Sequence, residues 1–326
     1  MSRAMPTLDG AHAAARRIEP YLPVTPLYRY PGLDRIVGTE TWVKHENHQP
    51  VGAFKVRGGV NLVAQLDAAE RARGLVAAST GNHGQSVAYA ARLFDVDATI
   101  VVPESANPAK VASMQGLGAE VVFHGRDFDD ALVHCEALAG QRGARYIHSG
   151  NEPQLIEGVG TYALEMLRQQ DGIDVVIVPV GGGSGAAGTC IAGKGTDPNL
   201  RVIGVQSSGA PAAFRSWSAR ALVADEMRTS AEGLATRTAF ELPQRILWDL
   251  LDDFVLVDDD EIERAVALMI DHTRNLVEAA GAAPLAAALK LKDILDGARV
   301  ALVCSGGNIT LAQLEQVLSR VRSGAV

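Results

Sequence analysis

Short runs of β-branched residues alternate with alanine-rich segments of helical periodicity along most of this chain. Strands that alternate with helices build a parallel sheet whose faces the helices cover. We therefore predict an α/β fold with strands at Thr41–His45, Leu75–Ser79, Ala98–Val102, Glu120–Phe123, Val175–Val180, Val202–Gln206, Phe254–Val257 and Val300–Cys304. The predicted helices are Asn82–Phe94, Pro108–Leu117, Phe128–Arg142, Gln154–Arg168, Glu261–Ala280 and Ala283–Leu295.

Two α/β units can be recognised, one around residues 75–123 and the other around 175–206. No low-complexity linker separates them, so we expect the chain to weave between two open parallel-sheet domains. The expected division is a large domain of residues 1–70 and 150–326 and a small domain of residues 71–149. The polar stretch from 207 to 242 has poor periodicity, which predicts long loops and short helices near a site.

Charge and composition restrict the function. The formal net charge of −8 argues against a nucleic-acid partner, and no apolar run approaches the ~18 residues that a membrane helix requires. Residues 1–20 carry no export signal, and the three cysteines are scattered along the chain, which indicates a reduced, cytoplasmic setting. His45 and His48 have no further ligand cluster beside them, so we predict no metal there.

Four glycines within five residues, Gly181 to Gly185, follow the predicted strand that ends at Val180, and a helical pattern comes next. Glycines let successive backbone N–H groups converge on one anion, and the helix adds the positive end of its dipole. The segment is typical of a phosphate site; a close helix–strand turn is the alternative. A dinucleotide fingerprint also fits residues 183–188, but it requires an acidic residue where this chain has Gln206. An NAD-binding module is therefore a distant alternative.

Another predicted strand leads into a helix through Ser79, Thr80, Gly81, Asn82 and His83. Hydroxyl and amide side chains beside free helix N–H groups are suited to a small carboxylate. Simple helix capping is the alternative, but it requires one such residue and this segment offers three.

Lys55 lies between Phe54 and an apolar residue, with Arg57 two positions later. A desolvated amine beside another cation has a lowered pKa, which makes it a usable nucleophile or base. We interpret the other lysines of interest as ordinary solvated positions: Lys44, Lys110, Lys194, Lys290 and Lys292. A phosphate site, a carboxylate site and one amine together suit a phosphorylated aldehyde held as a Schiff base.

Five motifs in this order resemble the β-family, or fold-type II, of pyridoxal-phosphate enzymes, within it the threonine/serine dehydratase and serine racemase group. They are Gly52-Ala-Phe-Lys55-Val-Arg57-Gly, Ser79-Thr-Gly-Asn-His-Gly-Gln85, Pro179-Val-Gly-Gly-Gly-Ser-Gly185, Val277-Glu278-Ala-Ala-Gly281 and Cys304-Ser305-Gly-Gly-Asn308. The resemblance implies a tryptophan-synthase-β-like architecture, a pyridoxal 5′-phosphate cofactor, a small amino-acid substrate and a homodimer or tetramer. The implied reaction converts a β-hydroxy amino acid such as L-threonine or L-serine to a 2-oxo acid and ammonia.

The resemblance also implies a role for each motif residue. Lys55 carries the cofactor and takes the Cα proton, with Phe54 beside the ring. Asn82 hydrogen-bonds the ring hydroxyl, Ser305 faces the pyridine nitrogen, and Glu278 lies near the ring. The phosphate is held by Gly181, Gly182, Gly183, Ser184 and Gly185, and the substrate carboxylate by Ser79, Thr80, Gly81 and His83. A neutral hydroxyl at the ring nitrogen favours loss of a β-leaving group.

Two departures from the group's pattern bear on the alternatives. Racemases of the group carry Ser where this chain has Thr80, which makes racemisation less favoured but leaves it open. A β-replacement synthase is another alternative, but it would have a different signature around the lysine and a distinct asparagine loop. Gln206 and Ala212 stand where other members have metal-binding carboxylates, so we predict no divalent cation. A hydroxyaspartate dehydratase is a further alternative, in which Arg215 and Arg237 would bind a second carboxylate.

Overall fold

The computed structural model describes residues 4–324. This range contains ten strands: β1 (Leu27–Arg29), β2 (Glu40–His45), β3 (Leu75–Ala78), β4 (Ala98–Val102), β5 (Glu120–Phe123), β6 (Arg145–Tyr146), β7 (Val175–Pro179), β8 (Arg201–Ser207), β9 (Asp253–Val257) and β10 (Arg299–Cys304). Its helices are α1 (Leu8–Ile18), α2 (Pro31–Val37), α3 (Lys55–Val63), α4 (Ala68–Arg73), α5 (Asn82–Leu93), α6 (Pro108–Gly116), α7 (Phe128–Arg142), α8 (Pro153–Gln169), α9 (Ser184–Thr189), α10 (Ala212–Ala219), α11 (Glu241–Leu250), α12 (Asp259–Thr273), α13 (Ala279–Lys290), α14 (Lys292–Leu295) and α15 (Leu311–Arg322).

The strands form two sheets. The six-stranded sheet has the order β1-β2-β10-β7-β8-β9, and the four-stranded sheet has the order β5-β4-β3-β6. All neighbouring strands run parallel except β1, which is antiparallel to β2. The six-stranded sheet takes its strands from both ends of the sequence, and the four-stranded sheet takes its strands from the middle. The predicted α/β fold with parallel sheets is confirmed.

Helices cover both faces of each sheet, and the central strands are accordingly apolar throughout. Every residue of β4 is buried, and so are the first four of β7. Parallel strands that are covered on both sides need apolar residues at every position, not at alternate ones. One core of the six-stranded sheet lies under α8, α9 and α11, and the other lies under α12 and α13.

All eight predicted strands are present, whereas β1 and β6 escaped prediction because each is only three or two residues long. The predicted helix Glu261–Ala280 is wrong at its end. α12 stops at Thr273 because Arg274 adopts a left-handed φ of 60° and its N–H donates to the carbonyl of Ile270. A loop follows, and α13 begins at Ala279. The predicted helix Ala283–Leu295 therefore corresponds to the later part of α13 together with α14.

The three cysteines are all buried and free. They lie in separate places, Cys135 in α7, Cys190 after α9 and Cys304 at the end of β10. Between residues 4 and 324, no helix combines the length and the apolar character that a membrane crossing requires.

Candidate active site

Three neighbouring strands, β2, β10 and β7, bring the predicted chemistry to one edge of the six-stranded sheet. β10 runs parallel to both β2 and β7, so their carboxyl ends point the same way. Lys55 lies beyond the end of β2, Ser305 directly follows β10, and the glycine run from 181 to 185 follows β7. The carboxyl edge of an open parallel sheet is the usual place for a ligand.

Backbone hydrogen bonds fix the segment before Lys55 against the end of β10. The N–H of Phe54 donates to the carbonyl of Ser305 at 3.0 Å, and the N–H of Gly307 donates to the carbonyl of Gly52 at 2.9 Å. The amine Nζ of Lys55 donates to the hydroxyl Oγ of Ser184 at 3.2 Å. The predicted amine, the predicted ring-nitrogen partner and the glycine run are therefore neighbours.

Burial lowers the pKa of Lys55 to about 8. The expected contribution of Arg57 to this shift is wrong, because burial is its only cause. The guanidinium of Arg57 is instead neutralised in a buried cluster, where its Nε lies 2.6 Å from Glu46 and its Nη1 lies 2.6 Å from Glu165. A lysine with this pKa is unprotonated in about one molecule in ten at pH 7, far more often than an ordinary lysine.

Two lysines that we interpreted as solvated are in fact buried. Lys44 is 0% exposed, and its amine donates to Glu165 at 2.8 Å. Lys110, in α6, is 9% exposed and forms an ion pair with Glu232. Both predictions are wrong for the same reason, since the carboxylate that compensates each charge comes from a distant part of the chain.

Gly181, Gly182 and Gly183 leave no room for side chains. A Cβ atom on Gly181 would lie 2.2 Å from the carbonyl oxygen of Gly233. Gly183 has a left-handed φ of 87° and precedes α9, a conformation that L side chains rarely adopt. α9 continues through a π-helical turn from Cys190 to Lys194. A tight glycine turn therefore leads into the start of a helix at this end of the sheet, which is the arrangement expected of an anion site.

The second loop, residues 79–83, follows β3 in the four-stranded sheet. The hydroxyl of Ser79 accepts hydrogen bonds from the N–H groups of Gly81, at 3.2 Å, and Gly84, at 2.9 Å. Ser79 therefore shapes the loop and caps the start of α5, whereas Thr80 and Gly81 are partly exposed. His83 is buried, and its Nε2 lies 3.3 Å from the carbonyl of Ile147. Burial, and next the charge of Lys55, lower the pKa of His83 to about 3, so its ring is neutral.

Asn82 is held from two sides. Its amide nitrogen donates to Oε1 of Glu278 at 2.7 Å, and its amide oxygen accepts from Asn308 at 2.7 Å. Asn308 also donates to the carbonyl of Val51, which connects Asn82 to the segment before Lys55. Burial raises the pKa of Glu278. We did not predict a role for Asn308, although it ends one of the five motifs; an uncharged amide in a loop gives little signal.

Phe240 is another residue near the site that the sequence did not reveal. A Cβ on Gly182 would lie 2.2 Å from its ring, and a Cβ on Gly150 would lie 2.4 Å from it. His148 meets the same ring edge-on, with 4.8 Å between centroids. Phe240 therefore covers one side of the glycine run. It lies at the end of the loop before α11, where no periodic pattern reveals its role.

The two arginines proposed for a second carboxylate are turned to the surface. Arg215 is paired with Asp225 at 2.6 Å, and Nη1 of Arg237 lies 3.6 Å from Asp129. Neither observation supports a second carboxylate site.

The residues considered as metal ligands make ring contacts and hydrogen bonds within the protein. The rings of His45 and His48 are stacked, and Nε2 of His48 lies 2.6 Å from the side chain of Asn275. Gln206 is buried and accepts a hydrogen bond from the N–H of Phe214, and Ala212 begins α10. In the described part of the chain, no three His, Cys, Asp or Glu side chains are grouped as metal ligands.

Residues 18–306 match the family described as pyridoxal-phosphate dependent enzymes. The chain belongs to this family. The enzyme is 36% identical over 323 residues to an L-threonine ammonia-lyase of Thermotoga maritima, which covers 98% of this chain and 80% of the relative. It is 34% identical to a serine racemase of Dictyostelium discoideum, over 96% of this chain and 98% of the relative.

The fold is also similar to solved structures. A maize serine racemase superimposes with a TM-score of 0.92 at 31% identity, covering 99% of each chain. The predicted fold-type II resemblance is confirmed, and the dinucleotide alternative has no support. The cofactor of the enzyme is pyridoxal 5′-phosphate. The site fits this group, because the tightly packed glycines 181–183 lie beside an amine whose pKa is lowered.

Proposed function

We propose that this enzyme is an ammonia-lyase that converts a β-hydroxy amino acid such as L-threonine or L-serine to a 2-oxo acid and ammonia. The observation that carries the proposal is the meeting of Lys55, Ser184 and Ser305 at one edge of the six-stranded sheet. Similarity to the Thermotoga maritima ammonia-lyase supports it further.

In this proposal the cofactor lies at the carboxyl edge of β2, β10 and β7. When bound there, it would supply an electron-withdrawing ring that stabilises negative charge at the substrate Cα. Lys55 carries it and Phe54 lies beside the ring, while Asn82 binds the ring hydroxyl with Glu278 behind it. Ser305 faces the ring nitrogen. The phosphate is held by Gly181, Gly182, Gly183, Ser184 and Gly185.

Lys55 acts as the base that takes the Cα proton. Burial lowers the pKa of its amine to about 8, so the unprotonated form that acts as a base is far more populated near neutral pH than in an ordinary lysine. The hydroxyl of Ser305 is neutral, so it does not protonate the ring nitrogen. The proton taken from Cα and the β-hydroxyl together leave as water, and the remaining enamine hydrolyses to the 2-oxo acid and ammonia.

The substrate carboxylate binds to the loop of Ser79, Thr80, Gly81 and His83. Because His83 is neutral, the attraction comes from the N–H groups at the start of α5 and from hydroxyl donors, not from a positive side chain. In this proposal Thr80 would lie on the face of the ring opposite Lys55, where racemases of the group carry Ser, and its hydroxyl leaves racemisation open.

A racemase is the second candidate, which the similarity to serine racemases favours. The experiment that separates the two measures 2-oxo acid release from L-threonine, L-serine and the hydroxyaspartate isomers, together with the appearance of D-serine from L-serine. We expect 2-oxo acid from threonine or serine and its loss in Lys55→Ala, but not in Lys290→Ala, whose amine is at the surface. Interconversion of serine enantiomers without 2-oxo acid would overturn the proposal.

We also propose that residues 1–70 with 150–326 form the large domain and residues 71–149 the small one, following the division of strands between the two sheets. We further propose a homodimer or tetramer in the cytoplasm. Three buried free cysteines suit a reducing compartment. Analytical ultracentrifugation tests the assembly, and limited proteolysis tests the division.

A further inference from the structure

We propose that Asp259 is a positioning residue for the phosphate cradle, through the segment Thr229–Leu234, which we call the brace. The inference rests on the proposed function, in which the glycines from 181 to 185 hold the cofactor phosphate. Asp259 touches neither the cradle nor its ligand. It fixes the backbone that forms the wall behind Gly181.

Both carboxylate oxygens of Asp259 hold neighbouring segments in place. Oδ1 accepts from the hydroxyl of Thr229 at 2.6 Å and from the hydroxyl of Ser207 at 3.1 Å. Oδ2 accepts from the N–H of Ser230 at 2.7 Å and from its hydroxyl at 3.1 Å. Four donors thus converge on one side chain from the end of β8 and from the beginning of the brace.

Asp259 has no capping role that would account for this arrangement. α12 begins at Asp259, but its cap is Asp258, whose side chain accepts from the N–H of Glu261 in a complete capping box. The carboxylate of Asp259 is directed away from its own helix toward the brace. Its hydrogen bonds therefore serve the position of the brace.

The brace reaches the cradle three residues after Ser230. A Cβ atom on Gly181 would lie 2.2 Å from the carbonyl oxygen of Gly233 and 3.4 Å from Cα of Leu234. Gly233 packs closely against α13, since a Cβ atom on Gly233 would lie 2.7 Å from Cβ of Ala280. The brace is therefore a fixed layer between the first cradle glycine and α13.

The middle of the brace has separate attachments. Glu232 pairs with Lys110 of α6 and accepts from Gln313 of α15 at 2.9 Å. Leu234 is fully buried, and its N–H donates to the carbonyl of Ala231 at 2.8 Å. These contacts hold the brace when Asp259 is changed. We therefore expect the variant to fold, but with the backbone of the brace less precisely positioned against Gly181.

The test compares two ligands of the apoenzyme, pyridoxal 5′-phosphate and pyridoxal, which lacks the phosphate. Asp259→Ala and Asp259→Asn are the variants. Asp260→Asn is the matched control, since Asp260 is in the same turn of α12 but pairs with Arg320 at the surface. Asp259→Ala removes all four hydrogen bonds to the carboxylate. Because the effect reaches the cradle only through the brace, we expect the affinity for pyridoxal 5′-phosphate to fall about tenfold, with the affinity for pyridoxal unchanged. The control should leave both affinities unchanged.

Equal weakening of both ligands would show a general structural defect and overturn the inference, as would unchanged affinity for pyridoxal 5′-phosphate. If Asp259→Ala does not fold, Ser230→Ala removes one of the four hydrogen bonds and should give a smaller loss of the same selectivity. If the unmodified apoenzyme does not prefer the phosphorylated ligand, the cradle itself is wrongly assigned, and this failure of the proposed function is distinguishable because it precedes any substitution.

Discussion

The side-chain amide of Asn82 donates to Oε1 of Glu278 at 2.7 Å, although the two residues are 196 positions apart. The bond joins the first residue of α5, at the four-stranded sheet, to the residue that precedes α13 beside the six-stranded sheet. Asn308 fixes the amide oxygen of Asn82 at the same time. The orientation of Asn82 is thereby set, and its nitrogen, which carries two hydrogens, can offer one to a ligand.

Replacement of Glu278 by Gln should stabilise the apoenzyme at pH 8. Burial raises the pKa of Glu278, which means that the folded protein holds this proton more tightly than the unfolded chain does. The ionised carboxylate is therefore unfavourable above its ordinary pKa, and Gln removes that cost while its oxygen still accepts from Asn82. We expect the free energy of unfolding to rise on the order of 1 kcal/mol, an ordinary size for a single substitution.

The gain should shrink as the pH falls toward the ordinary pKa of a glutamate and vanish where Glu278 is protonated in both states. Urea unfolding at a series of pH values measures it, with Glu241→Gln at the surface as the control. A gain that does not change with pH would contradict the assignment.

Capture of pyridoxal 5′-phosphate by the apoenzyme should accelerate with pH around a midpoint of about 8, the lowered pKa of Lys55. Only the unprotonated amine attacks an aldehyde, and burial makes that form accessible below the ordinary lysine range. Stopped-flow absorbance of the bound cofactor follows the reaction. Lys194→Ala, which removes a lysine paired with Asp252, should leave the midpoint unchanged. A midpoint near the ordinary lysine pKa would show that Lys55 is solvated when the cofactor arrives.

Prediction from the sequence succeeded where the signal is local. The buried strands are continuous apolar runs, and the glycine segment after β7 and the polar loop after β3 each occupy a few adjacent residues. It failed where a partner comes from elsewhere in the chain. The charge of Lys44 is compensated by Glu165, 121 positions away, and a short window cannot reveal that pairing.

The same limit explains the helix that was predicted too long. The pattern from 261 to 280 is helical throughout, but Arg274 leaves the helical conformation and the loop that follows brings Glu278 to Asn82. Tertiary contacts, not local propensity, decide that break. The roles of Asn308 and Phe240 were missed for a related reason, since each acts on a glycine or an amide far away in sequence.

Gly181→Ala and Gly182→Ala should both weaken cofactor retention, but a second substitution should restore it only in Gly182→Ala. The Cβ of Gly182→Ala would meet the ring of Phe240 at 2.2 Å, and that of Gly181→Ala would meet the backbone oxygen of Gly233 at 2.2 Å. A substitution can remove the ring of Phe240, whereas no substitution removes the backbone carbonyl of Gly233. We expect both single variants to retain pyridoxal 5′-phosphate about tenfold less well, a loss of roughly 1.4 kcal/mol.

Phe240→Ala should restore cofactor retention in Gly182→Ala and should leave Gly181→Ala as defective as before. Equilibrium dialysis with absorbance of the bound cofactor measures retention in the two single variants and in each of them combined with Phe240→Ala. Rescue of both variants, or of neither, would contradict the packing described here.

Arg57→Met should destabilise the enzyme by about 3–5 kcal/mol, because it leaves Glu46 as a buried charge without its cationic partner and leaves Glu165 with Lys44 alone. Arg57 and Glu46 are both fully buried. Arg126→Met is the control, since Arg126 is 93% exposed and 3.5 Å from Asp130, and such a surface pair contributes about 0–1 kcal/mol. Urea unfolding gives both values. Similar small losses in the two variants would mean that solvent reaches the buried cluster.

The ion pair between Lys110 and Glu232 should help the substrate loop to bind. Lys110 belongs to α6, which packs against α5, and the loop of residues 79–83 leads into α5. Lys110→Glu places two carboxylates face to face and should raise KM for the amino-acid substrate about tenfold, about 1.4 kcal/mol of lost binding, with a smaller effect on kcat. The exchanged pair, Lys110→Glu with Glu232→Lys, should recover part of the loss. Recovery should be incomplete, because Lys110 also lowers the pKa of Glu278 and a glutamate at position 110 would raise it. Steady-state kinetics of the single and double variants at low and high salt measure the coupling; a double variant no better than Lys110→Glu would contradict it.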